Sequence, residues 1–145
     1  MWVSYRDATQ QLNLFHPGWN TTRSCPVSSG CSGERDTSAH IMWTCIRATA
    51  TWRHIYESWA GKAASKEDLQ LLLPHIASRT PPPARTKIRG GVQEHYGFYT
   101  NDHEATLETI WLIIVMAAPA TLWRLRNETV HQGQQLTDTE CCTRV

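Results

Sequence analysis

Four residues in this chain have types and spacing that could hold a metal ion: Cys25, Cys31, His40 and Cys45, separated by five, eight and four intervening residues. Three thiolates and an imidazole are the ligand set of a closed tetrahedral zinc site, in which every coordination position is filled by protein and none is left for water. Gly30 stands just before Cys31 and serines surround it, so small residues would let backbone amides approach the sulfurs. The pair His40 and Cys45 sets a geometric condition. In one uninterrupted α-helix they would lie about 140° apart around the axis, so both reach one ion only if the backbone breaks near Cys45. The expected solution is a short helix capped by Asp36 or Thr37, a bend, and a second helix beyond it.

No other cluster makes a comparable case. Asp102, His103 and Glu104 read as acids complementing a helix N-terminus, and Cys141 and Cys142 as exposed thiols in a polar tail. The sequence contains no Gly-rich phosphate loop, no Gly-x-Ser-x-Gly elbow and no paired Asp of the polymerase type, so it is not read as an enzyme. At 145 residues it is too short for a polymerase, and its net charge of +1 puts any polyanion binding on local patches rather than on a global field. Five irregularly placed cysteines do not make a disulfide scaffold, and the N-terminal residues lack the apolar core of a signal peptide, which points to an intracellular, reducing setting. The most apolar run, 110–123, is shorter than the roughly 20 residues that span a bilayer and contains Pro119, so it reads as a buried helix with no membrane partner.

The elements that must position the four ligands follow from periodicity. Residues 1–24 form a leader, with a turn at His16-Pro17-Gly18. Residues 25–45 are too polar to fold by burial and need a metal for order. Next, Trp52, Ile55, Tyr56 and Trp59 recur every three or four residues, which predicts an amphipathic helix ending before Gly61, the aromatic partner of the knuckle within 25–61. In 62–76, Ser65 is an N-cap ahead of Glu67 and Asp68, and the short helix is expected to stop at Pro74. The stretch 77–101 holds Pro81-Pro82-Pro83, Gly90-Gly91 and basic residues, and reads as a flexible basic linker. A long apolar helix kinked near Pro119 is predicted over 102–133, followed by a frayed tail, 134–145. The fold class is therefore mainly α: a small CCHC knuckle followed by helices, a disordered linker and a long kinked C-terminal helix.

With these residues in hand, the chain resembles the zinc-binding region that follows the reverse transcriptase in LINE-type (non-LTR) retrotransposons. The matching residues are Cys25-Pro26, Cys31, Asp36-Thr37-Ser38-Ala39-His40, Cys45 and Trp52, with Trp43 and Ala48 at positions where the family commonly has an aromatic and an Ala. A second match is Trp123-Arg124-Leu125-Arg126-Asn127 with Val130-His131, similar to the family's apolar helix ending in Trp-x-x-Arg-Asn. The resemblance covers roughly residues 12–61 and 107–133. Two departures are the first Cys pair, which the family spaces by about two residues, and Ile46, where the family often has Pro. The resemblance implies structural zinc on Cys25, Cys31, His40 and Cys45, and a nucleic-acid-binding accessory module of a retrotransposon polyprotein, present without its polymerase. Its partners would be RNA or DNA and the polymerase portion. Arg79, Arg85, Lys87 and Arg89, with no acid among them, and Arg124 and Arg126 on the last helix, are the residues expected to meet phosphates. The competing expectations are a protein-interaction module docking through Trp111, Ile114 and Trp123, and a nonfunctional remnant.

Overall fold

A computed structural model of the chain describes residues 24–27, 30, 31, 34–96, 100–133, 137, 139 and 140. The leader and most of the tail lie outside these residues. The architecture is mainly α: a π-helical turn, His40–Thr44, precedes four α-helices, α1 (Ile46–Ala60), α2 (Lys66–Ser78), α3 (Thr86–Tyr96) and α4 (Thr100–Gln132). Among the described residues there is no strand, only an isolated antiparallel bridge between Ser24 and Arg35. The helices are distributed over two compact units, one made of the described residues up to Thr51 and from Met116 onward, the other of Trp52–Val115.

In the unit Trp52–Val115 the aromatic stripe of α1 is buried as its spacing requires, through Trp52, Ile55 and Trp59. Helix α1 closes at Gly61, whose φ of 73° carries it into the left-handed region while its amide donates to the Glu57 carbonyl. A Cβ there would come within 2.8 Å of the Arg85 side chain, so glycine also makes room for those methylenes. Helix α2 opens on a full capping box: Asp68 N–H donates to Ser65 Oγ and Ser65 N–H to the Asp68 carboxylate, both at 3.0 Å.

Two expectations need correcting in this unit. Helix α2 does not stop at Pro74 but continues to Ser78. Proline removes one backbone hydrogen bond and crowds the preceding turn, yet Leu72 and Ile76, one turn apart across it, are both buried, and the His75 carbonyl accepts the Trp111 indole N–H at 3.3 Å. Nor is 77–101 a loose linker. Trp59 holds its first part at two points, donating from Nε1 to the Pro82 carbonyl (2.8 Å) and accepting at its own carbonyl from Arg85 N–H (2.9 Å). Residues 86–96 then form α3 in spite of Gly90 and Gly91. Trp111, expected on a docking face, is fully buried and stacks at a tilt on Trp59, ring centroids 5.2 Å apart. Among the described residues the exposed large apolar side chains are instead Leu71, Leu73, Leu112 and Ile113.

In the other unit Val27, Ile41, Met42 and Ala48 are buried, as are Ala118, Leu122 and Leu125 of α4, spaced four and three residues apart along one helical face. Helix α4 runs unbroken through Pro119, and its stretch His103–Gln132 is long and apolar enough to cross a membrane by length and composition. Along the same stretch Leu107, Trp111, Val115, Ala118, Leu122 and Leu125 are buried, while Leu112 and Ile113 are exposed.

Candidate metal centre

The four spaced residues converge. The ligand atoms of Cys25, Cys31, His40 and Cys45 all lie within 4.8 Å of one another, and the last three residues are buried. Cys31 Sγ is 3.7 Å and Cys25 Sγ 4.0 Å from Cys45 Sγ, and all three cysteines are free thiols. A tetrahedral ion with metal–sulfur bonds of about 2.3 Å sets sulfur–sulfur edges of about 3.8 Å, so these sulfurs are spaced as the edges of such a site.

The backbone solves the His40–Cys45 problem in two moves. Thr37 caps a short turn, its Oγ1 accepting from His40 N–H at 3.1 Å, and Ile41 N–H follows onto the Thr37 carbonyl. From His40 the chain winds as a π-helical turn, closed by Cys45 N–H donating to the His40 carbonyl at 2.8 Å. The wider turn brings residues five apart toward the same face. Cys45 itself is extended, with ψ at 141°, which breaks the helix where the sequence required a break; its carbonyl then accepts from Thr49 N–H to start α1. Of the two caps expected, Thr37 is the one used.

The first two cysteines sit on a loop closed by its own backbone. Cys25 N–H donates to the Glu34 carbonyl at 2.8 Å and Glu34 N–H to the Cys31 carbonyl at 3.0 Å. Gly30 lies against Ile46, where a Cβ would meet Ile46 Cδ1 at 2.7 Å. A larger residue there would require the Ile46 side chain to move.

The groups around the ligands favour metal binding. His40 Nδ1 is 2.9 Å from Thr44 Oγ1, while the buried Nε2 has no hydrogen-bond partner among the described residues. With Nε2 as the ligand atom, Nδ1 carries the proton and donates it to Thr44, the arrangement that orients a metal-bound imidazole. The backbone amides of Val27, Ile46 and Arg47 face the sulfurs of Cys25, Cys31 and Cys45 respectively and favour their ionised forms. Cys45 is pushed down to about 5, chiefly by the thiol of Cys25 donating to it, and also by the Arg47 amide, Cys31 and His40, with burial opposing. Cys25 is pushed above the ordinary thiol range because its proton is held against Cys45 and by burial; Cys31 is pushed up first by burial. The proton held between Cys25 and Cys45, and that of Cys31, must leave for the three sulfurs to become ligands.

The basic residues separate into distinct environments. Arg79, Arg85 and Lys87 are exposed and form no ion pair with a described residue. Arg89 is exposed but paired with Glu104, and Arg124 faces Glu128 one turn on at 3.6 Å. Arg126 departs from the expected phosphate set. Its side chain is 7% exposed and is committed to the Asp36 carboxylate, through Nε at 3.0 Å and through Nη2.

Sequence reasoning missed Asp36 and Arg126 as partners, and with them the buried bond from Arg47 Nη1 to Thr129 Oγ1 at 2.7 Å. Both contacts join positions more than 80 residues apart, which no local spacing announces. Thr44 was legible in principle, since it stands one helical turn after His40. Among known proteins, no family model, no curated protein and no solved structure matches the chain.

Proposed function

We propose that this chain is a structural-zinc module, not an enzyme, that binds RNA or DNA in an intracellular, reducing setting, as an accessory part of a LINE-type retrotransposon polyprotein. The observation that carries the reading is the convergence, within 4.8 Å of one another, of three sulfurs and an imidazole whose Nε2 has no hydrogen-bond partner among the described residues, with two sulfur–sulfur distances, 3.7 and 4.0 Å, close to a tetrahedral edge. Such a ligand set suits zinc and leaves no open position for a substrate. When bound, zinc would supply cross-linking and charge neutralisation. The residues of the chain do the rest: they fix the imidazole through Thr44 and face amides to the sulfurs. The kinship rests on the residues of the two matching stretches; Asp36 of the first is the ion-pair partner of Arg126 in the second.

Nucleic-acid contact falls to Arg79, Arg85 and Lys87, with Arg89 and Arg124 able to trade their carboxylates for phosphates. The test is zinc content of the purified chain together with affinity for a single-stranded oligonucleotide across a salt series. We expect one zinc per chain, and three phosphate contacts give a slope of log affinity against log salt of about −2. An Arg79→Gln/Arg85→Gln/Lys87→Gln variant should keep the zinc and lose that slope. Zinc without salt-dependent binding would overturn the nucleic-acid role. It would favour the second reading, a protein-interaction module, for which the specific observation is the exposure of Leu71 (67%) and Ile113 (61%). A chain that takes up no zinc would overturn the module itself and leave a nonfunctional remnant.

A further inference from the structure

We infer that metal uptake and the docking of the C-terminal half of α4, residues 116–132, are coupled: filling the Cys25, Cys31, His40 and Cys45 site seats that half-helix through Asp36–Arg126 and Arg47–Thr129. The inference rests on the metal reading above and adds a consequence for a segment that contains no ligand.

Both anchors on the loop side stand within four residues of a ligand. Asp36 lies between Cys31 and His40, in a stretch, 34–39, that contributes no buried apolar side chain. Hydrophobic packing therefore does not hold Asp36 in place. Its position is set by its neighbours: Glu34 is tied to the Cys31 carbonyl, and Thr37 to His40 N–H. Arg47 follows Cys45 by two residues, and its own amide faces the Cys45 sulfur. Holding the ligands together thus holds both anchors at the spacing at which Arg126 and Thr129, one turn apart on α4, can meet them.

The contact is demanding. Asp36 and Arg126 are 5% and 7% exposed, so a displaced carboxylate would leave a buried guanidinium without its counter-charge, a costlier state than an exposed broken pair. The fit around them is close: the cavity lined by Val27, Ile41 and Cys45 on one side and Leu122 and Leu125 on the other is about 20 Å³, room for about one water. A tightly packed contact built on a buried ion pair does not loosen gradually, which makes it a two-state element that metal can bias. Coupling is reciprocal, so whatever factor metal adds to docking, docking adds to metal affinity.

The test is hydrogen exchange of the full reduced chain, zinc-loaded and chelated, with zinc content measured in parallel and α2 as internal reference. Chelation should speed exchange in 120–132 by about tenfold or more, within the usual range of coupling between sites, while α2 is unchanged. Arg126→Gln should still bind one zinc, but about tenfold more weakly, with 120–132 unprotected even when loaded. Should that variant fail to fold, Thr129→Val is expected to act in the same direction by a smaller factor, and Thr129→Ser to restore the wild-type behaviour. Zinc uptake with identical exchange in loaded and chelated chain overturns the coupling alone, as does exchange that rises equally in α2. Absence of zinc uptake overturns the metal reading and the coupling together.

Discussion

His40 shows how much of a metal site is decided one residue beyond the ligands. Its Nδ1 lies 2.9 Å from Thr44 Oγ1, a contact that orients the ring and leaves Nε2 to serve as the ligand atom, with the proton on Nδ1 once a metal is bound. Thr44 is exposed, so it contributes little to packing and its substitution isolates that one bond. Thr44→Val should lower zinc affinity by about tenfold, with helical content unchanged. His40→Ala and Cys31→Ser should bind no zinc at all under the same conditions, and His40→Cys should recover it as a four-thiolate site. Competition against a chromophoric chelator reads all four. A Thr44→Val variant with wild-type affinity would mean that the ring is oriented by its burial alone.

At the scale of elements, what the sequence made legible is what depends on neighbours along the chain. The three-and-four spacing of Trp52, Ile55 and Trp59 names the buried face of α1, Ser65 and Asp68 announce the start of α2, and the angular mismatch between His40 and Cys45 demands the break that the extended Cys45 provides. The convergence of the four ligands was legible from residue type and spacing. Helix α3 was not, because Gly90 and Gly91 argue against a helix and the compensating contacts at its entrance come from Trp59, more than 20 residues earlier. The commitment of Arg126 to Asp36 was hidden for the same reason. Those glycines give a direct measure of the local penalty. Neither would place a Cβ within 4 Å of anything, and neither has a positive φ, so a methyl group meets no clash. Gly90→Ala should stabilise α3 by about 0.5–1 kcal/mol. The expected reading is slower hydrogen exchange across 86–96; an unchanged or faster rate would show that α3 needs glycine there.

For the whole molecule, acid should act in two separable steps, because the metal centre and the capping cluster around Asp68 respond to protons for different reasons. Asp68 accepts from Lys62 Nζ (2.9 Å), from Ser65 N–H (3.0 Å) and from Tyr56 OH (2.8 Å), and the Lys62 ammonium foremost holds its carboxyl well below the usual range. A depressed folded value means that the stabilisation is present above the unfolded carboxyl value of about 3.9 and is lost as pH falls below it. The metal centre responds earlier. Its ligands bind zinc only without their protons, and Cys25 and Cys31 hold theirs more tightly than ordinary thiols, so mild acid favours release. At a thousandfold excess of free zinc over its dissociation constant, the stabilisation lost with the metal is about 4 kcal/mol. Melting temperature followed from neutral pH down to about 3 should therefore fall first, with zinc appearing in solution, and again below about pH 4. The chelated chain should show only the second fall. Asp68→Asn should shrink the second fall and keep the first, whereas His40→Ala should remove the first and keep the second. A single transition common to all of these chains would mean that neither the capping cluster of α2 nor the metal centre sets the response to acid.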